Sequence, residues 1–345
     1  MQTFKKTFIF VLLNLSLCYI LNLMLTQPST LKILFNSLNK DKYSTLIVGE
    51  SHGESCINPF ILSEENNQAF NIARRLIPPT DFYYIVKEAN KDLNLKQIIF
   101  EIDSGYWESE RIPKASDANL LYSLTQNKIK IEYFFDLFAN KDVTDIFDYD
   151  HTPIHIKRSL KNLKAKTTKE YMKKEESAII ETNKVLDIGK NYKYIGRGFR
   201  YGLHFDEKIK YTPKDFDKDK ITQEVIESFE KLQKYCKENN IELICMISAL
   251  PPYRLQKENH NEEHEYFKEF CNKYKINFYD MNYIKSEYLP RNNEDYVDID
   301  GHMQGELANK QTNLIKEIIK SEHPEKYFEK NYEDVLKGLN KNERN

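Results

Sequence analysis

One serine, one histidine and two aspartates carry the most chemistry in this sequence, and they stand near opposite ends of the chain. Ser51 lies in Leu46-Ile-Val-Gly-Glu-Ser-His52, where an apolar run gives way to glycine. A serine at the carboxyl end of a buried strand sits on a tight turn. Its hydroxyl points out of the sheet, and the amides of the next turn can face an oxyanion. His302 lies in Tyr296-Val-Asp-Ile-Asp-Gly-His302-Met-Gln-Gly305, with Asp300 two residues before it and Asp298 four before. An imidazole accepts a serine's proton best when a carboxylate fixes its tautomer and stabilises the imidazolium. Alone, the first segment is a helix cap, and the second is a solvated acidic loop. Together they supply a nucleophile, a base and an orienting acid, and the chemistry implied is acyl transfer through Ser51.

Other residues have the right type without the right pattern. His260-Asn-Glu-Glu-His264 spaces two histidines four apart, but the zinc-protease helix needs Glu directly after the first His, and Asn261 is there. His151-Thr-Pro-Ile-His155 is interrupted by Pro153 and lacks a third ligand nearby. No metal and no other cofactor is expected. Arg197 and Arg200, within the aromatic and Gly-rich run Tyr192 to His204, are candidates to bind an anionic or sugar substrate by bidentate hydrogen bonds and stacking. Trp107 is the only tryptophan and follows a strand, so it is either a stacking platform or a packing residue. Cys56, Cys236, Cys245 and Cys271 show no CxxC pair and read as buried thiols.

The elements that must position these groups alternate. Apolar runs predict strands at Thr45–Val48, Ala69–Ala73, Gln97–Asp103, Ile241–Ala249 and Asn277–Met281. Amphipathic spacing predicts helices over Asp81–Asn94, Ile221–Asn239, Glu262–Lys275 and Gln304–Lys320. Continuous rather than alternating apolar strands belong to a parallel sheet buried on both faces. In such α/β sheets, sites form at the carboxyl ends of the strands. The Lys- and Tyr-rich stretch 109–217 interrupts the rhythm as a helical insertion, and 324–345 is a polar tail.

The N-terminus differs. Lys5-Lys6 precede an uncharged apolar run, Phe8 to Leu25, long enough to span a bilayer as a helix. Basic residues before it, with no Lys or Arg until Lys32, predict residues 1–7 in the cytoplasm, an uncleaved anchor over 8–25, a linker over 26–43, and a globular domain over 44–323 outside the cytoplasm. A formal net charge of −2 and no basic stripe give no reason to expect a nucleic-acid partner.

The serine turn after the first strand, with an Asp and a His just before the last helix, resembles the SGNH or GDSL-type esterase and acyltransferase superfamily. The resemblance covers roughly 44–320, with the insertion interrupting it. It implies a flavodoxin-like three-layer α/β/α sandwich with a five-stranded parallel sheet. It makes Ser51 the nucleophile, His302 the base, and Asp300, preferred over Asp298, the orienting acid, because Asp300-Gly-His302 resembles the Asp-x-His of alginate acetyltransferases. Glu50 stands where the family has Asp, and Asp103-Ser-Gly-Tyr-Trp107 stands where its Gly-x-Asn-Asp would be. The oxyanion would then fall to the amides of Ser51 and His52, with Asn71 as a further donor. The anchor makes the chain similar to the polysaccharide-modifying branch, which includes teichoic acid D-alanyl transfer and alginate O-acetylation proteins. That branch implies a multi-spanning membrane acyltransferase as partner and a polysaccharide or small acyl ester as substrate. An inactive scaffold or carbohydrate-binding partner on the same fold is the rival expectation.

Overall fold

The structure is a computed structural model that describes residues 2–25, 28–38, 42–75, 77–91, 93–108, 120–139, 159–173, 175–186, 189–205 and 212–342. The His151 and His155 pair lies outside the described residues, as do parts of the 109–217 insertion.

Helix α1 (Gln2–Leu25) is exposed from Phe4 to Leu21 and is long and apolar enough to cross a membrane. A short helix, α2 (Thr30–Ser37), follows, capped by the Ser29 hydroxyl accepting from the Lys32 amide. Strand β1 (Tyr43–Val48) then runs into α3 (Ser51–Cys56). The chain continues through β2 (Gln68–Asn71), α4 (Phe82–Asn90), β3 (Gln97–Glu101), the hairpin β4 (Tyr192–Gly196) and β5 (Phe199–Gly202), α5 (Gln223–Glu238), β6 (Glu242–Ile247), α6 (His260–Lys273), β7 (Asn277–Asp280), α7 (Gly305–Lys320) and α8 (Tyr332–Asn342).

Five strands form one sheet in the order β2-β1-β3-β6-β7, and every pairing is parallel. Side chains alternate faces along a strand, and here both faces are apolar. Leu46, Val48, Ile98, Phe100, Leu243 and Cys245 join one core cluster, covered by α4, α5 and α6. Ile47, Ile99 and Met246 join the other, covered by α7. That is why the strands read as continuous apolar runs, and the five expected strands and four expected helices all form, with bounds shifted by a few residues.

The insertion is helical where it is described, at Asn127–Ala139, Ser159–Lys166 and Ser177–Leu186. Its end differs from expectation. Tyr192 to Gly202 forms an antiparallel hairpin, turned by Arg197 at φ 48° and Gly198 at φ 81°. The hairpin docks on the main sheet's edge, where the Asn71 amide donates to the Arg197 carbonyl, and on the other side Gly202 bridges to Gln304. Cys56, Cys236, Cys245 and Cys271 are buried and free.

Candidate active site

Gly49 makes the turn that presents Ser51. Its φ is 149°, and a Cβ there would come within 2.8 Å of the Glu101 carbonyl oxygen, so only glycine fits. Ser51 begins α3 at the carboxyl end of β1. In the first turn, the amides of Ser51 and His52 have no carbonyl to reach within the helix, as at any helix start. Among the described residues none hydrogen-bonds Ser51 Oγ; the residue's carbonyl accepts from the Ser55 hydroxyl.

His302 comes from the loop before α7. The Val297 amide donates to the His302 carbonyl at 2.7 Å, closing the loop on itself. Inside it, Asp298 is 4% exposed and accepts from the amides of Gly301 (3.2 Å) and His302 (3.3 Å). Its two carboxylate oxygens each stand 2.9 Å from His302 Nδ1. Burial works against both charges of the pair, but their mutual hydrogen bond and attraction win. The Asp298 carboxyl is held below its ordinary value and the His302 imidazole is raised above its own. Asp300, preferred from the sequence as the partner of His302, has its nearest oxygen 3.9 Å from Nδ1, with its side chain 46% exposed and Arg254 at 3.8 Å. Four residues, rather than two, are what this closed loop needs to bring a carboxylate back over the imidazole.

The two halves meet through His52. Its ring lies 5.2 Å from that of His302, edge to face, and its Nε2 is 3.1 Å from the Asp300 carbonyl oxygen. Gly301, at φ 120°, allows this approach, since a Cβ there would sit 3.1 Å from His52 Nε2. Below His52 lie carboxylates that sequence reasoning did not assign. Its Nδ1 is 3.5 Å from Asp103 and 4.0 Å from Glu101. Glu50 and Glu101 are fully buried, and both Glu50 oxygens lack a hydrogen-bond partner among the described residues. Burial first, and then the neighbouring Asp103, raises both carboxyls, Glu50 well above its ordinary value and Glu101 to about 8. The available signal was a charged residue ending an otherwise apolar strand, which Glu101 does after Gln97-Ile-Ile-Phe. The ligating atoms of His52, Asp300 and His302 lie within 4.8 Å of one another, a set that could hold a divalent cation.

Three expected substrate or oxyanion contacts are corrected. Asn71 is wholly buried, and its amide nitrogen donates to the carbonyls of Gly53 (2.7 Å) and Ile57 (3.0 Å). Its oxygen accepts from the Ala73 amide. It ties α3 to β2 and has no donor left for an oxyanion. Trp107 is also wholly buried, packed by Phe100, Phe229, Phe267 and Phe270. It is a core residue because these four rings enclose it. Arg197 places its guanidinium over Phe60 and donates to the Ser63 hydroxyl at 2.7 Å, so it braces the hairpin turn. Arg200 does reach the site's edge: its guanidinium lies over Tyr192, whose ring is 6.4 Å from His302.

The arrangement therefore brings together a strand-end serine, an Asp–His pair and a second histidine at the carboxyl edge of a parallel sheet. No family model matches the chain, and no curated protein is similar enough in sequence to count as a relative.

Proposed function

We propose that the protein is a membrane-anchored SGNH-type serine esterase or O-acyltransferase, held by α1 with its globular domain outside the cytoplasm and acting on an envelope or exported polysaccharide. The observation that carries the reading is the Asp298–His302 pair standing against the Ser51 turn. Asp298 on Nδ1 leaves Nε2 as the free basic nitrogen. The strand order β2-β1-β3-β6-β7 supports it, being the flavodoxin-like order with its switch point beside β1.

In this mechanism His302 Nε2 takes the Ser51 proton as Oγ attacks an ester or thioester carbonyl. The tetrahedral oxyanion faces the amides of Ser51 and His52. Collapse expels the leaving group, which takes the proton from His302 and leaves an acyl-enzyme. Water or a sugar hydroxyl, deprotonated by His302, then attacks the acyl carbonyl and regenerates Ser51. Catalytic hydrogen bonds often tighten only when substrate binds, and the proposal requires Ser51 Oγ to turn toward His302 at that point.

The test uses the full chain in detergent with a small aryl acetate. Ser51→Ala and His302→Ala should each lower turnover by roughly four to six orders of magnitude, with the folded-state circular dichroism retained. A fluorophosphonate should label the wild type at Ser51. A second reading has its own observation: Ser51 Oγ has no hydrogen bond among the described residues and Asn71 is spent on structure, as in an inactive scaffold or carbohydrate-binding partner. Unlabelled wild type with no turnover would establish that reading instead. Turnover lost to a chelator would point to the His52, Asp300 and His302 trio.

A further inference from the structure

A cavity of about 390 Å³ lies beside the site, and its wall is rich in guanidinium groups. Arg74, Arg75 and Arg200 all line it, against the two carboxylates Glu54 and Asp81. Glu54 is already taken up, lying 3.5 Å from Arg74 Nη1 and 3.3 Å from Arg200 Nη1. Burial raises the Glu54 carboxyl, but the charges of Arg200, Arg74 and Arg75 outweigh it and hold it below its ordinary value. Asp81 accepts from the Tyr133 hydroxyl at 3.1 Å. One positive charge is left in excess.

Two of the arginines are under-used. Arg74 is 7% exposed, and its Nε and Nη2 have no acceptor among the described residues. Buried donors without acceptors are rare and costly. Arg75 is exposed and has no hydrogen bond or ion pair among the described residues. An anion there would give Arg75 a counter-charge and the unpaired Arg74 donors an acceptor at once.

The cavity's position says what the anion belongs to. Glu54 is one helical turn after Ser51 on α3, so the two share a face. Arg200 stacks at 4.1 Å on Tyr192, whose ring lies 6.4 Å from that of His302, edge to face. Part of its wall is Pro28, Ser29, Thr30 and Leu31, a segment that begins three residues beyond the end of α1 at Leu25. Three residues of chain span about 10 Å, so this wall stays close to the end of the membrane-spanning segment.

We propose that this cavity binds a phosphate-type oxoanion on the substrate whose acyl group is handled at Ser51, holding that group one aromatic ring away from His302. The proposal rests on the serine-enzyme reading above. Guanidinium forks suit such an oxoanion because they donate in pairs to its several acceptor oxygens. A soluble phosphate-bearing substrate and a lipid headgroup share this chemistry.

The experiment uses the full chain carrying Ser51→Ala, in phosphatidylcholine nanodiscs, titrated calorimetrically with inorganic phosphate against chloride at equal ionic strength. Saturable phosphate binding is expected, and Arg75→Gln should weaken it about tenfold or more by removing one charged donor. Lys234→Gln, a remote exposed cation, should leave it unchanged. Discs containing phosphatidylglycerol separate the sources. A weaker apparent phosphate affinity in the Arg75 form but not in Arg75→Gln assigns a lipid headgroup, and equal affinity in both discs assigns a soluble substrate. Phosphate binding no better than chloride, or indifferent to Arg75→Gln, overturns the proposal while leaving the Ser51 reading intact. Phosphate binding by a wild type that neither turns over esters nor takes the fluorophosphonate keeps the cavity and removes the enzyme.

Discussion

His302 holds Asp298, not Asp300, on its Nδ1: both Asp298 oxygens stand at 2.9 Å, while the nearer residue in sequence comes only to 3.9 Å. The choice is made by the loop. Asp298 is buried and also caps the amides of Gly301 and His302, so its carboxylate is fixed by four contacts before any substrate arrives. Asp300 offers its backbone instead, its carbonyl accepting from Arg254 at 2.6 Å and facing His52. One aspartate fixes the His302 imidazole and the other positions the second histidine.

Replacing these aspartates should therefore give different kinetics. His302 must be neutral to accept a proton, and Asp298 raises its pKa above the ordinary value near 6.5. The acid limb of kcat/KM should accordingly lie above that value. Asp298→Asn removes the anion and stabilises the wrong tautomer, so turnover should fall by about 10³–10⁴, with the residual limb moved to lower pH. Asp300→Asn should cost less than about tenfold and leave the limb in place, since its side chain is half exposed. The pH–rate profiles of the two variants decide it, and a larger loss for Asp300→Asn would reverse the assignment.

The sheet was legible because its signal is local. Leu46-Ile-Val48 and Ile98-Ile-Phe100 are apolar on both faces, which only double burial explains. The position of Ser51 at a strand end and of His302 beside an aspartate in the loop before α7 was legible from each segment alone. What stayed hidden depends on chain segments far apart meeting. The hairpin from Tyr192 to Gly202 pairs weakly by sequence pattern and is fixed by docking, the Arg197 carbonyl on Asn71 and Gly202 on Gln304. That docking takes Arg197 away from the site and brings Arg200 to it. Asn71 looked like a free donor because no sequence pattern reveals that the Gly53 and Ile57 carbonyls would claim it. Trp107 turned inward because four phenylalanines, three of them on α5 and α6, converge on it.

Glu101 carries a stability signature. Burial raises its carboxyl to about 8, against roughly 4.3 in an unfolded chain. A carboxyl raised on folding binds its proton more tightly in the native state. Its unfavourable effect is therefore absent below the unfolded pKa and grows as pH climbs from about 4.3 to about 8. Glu101→Gln keeps an oxygen for the Ser248 amide, which lies 3.4 Å from Oε1, and removes the titration. The variant should gain thermal stability over wild type at pH 8 and show little difference at pH 5. Melting temperatures of the full chain in detergent at the two values test this, and an equal difference at both would mean that Glu101 does not titrate in that interval.

A second buried cluster, on α6 and β7, should also lose stability as pH rises, here by giving up a favourable contribution rather than by gaining an unfavourable one. His260 is 1% exposed, with Nδ1 2.8 Å from Glu263 and Nε2 2.9 Å from Asp280, which also takes His264 Nδ1 at 2.9 Å. Burial lowers His260, but Asp280 and Glu263 overcome it and raise the imidazole to about 10, while Asp280 is held below its ordinary range by the two histidines. The His260 contribution is fully present below its unfolded pKa near 6.5 and is lost as pH rises toward 10; that of Asp280 is present above about 3.9 and is lost as pH falls. His260→Gln leaves Glu263 without its imidazolium and takes one of the two histidines from Asp280, and should cost about 3–5 kcal/mol at pH 6. Because the wild-type pair has itself been weakened by pH 10, the gap in unfolding free energy between wild type and variant should narrow there. Denaturant melts at the two pH values measure that gap, and a gap of constant size would show that His260 is not held as an imidazolium.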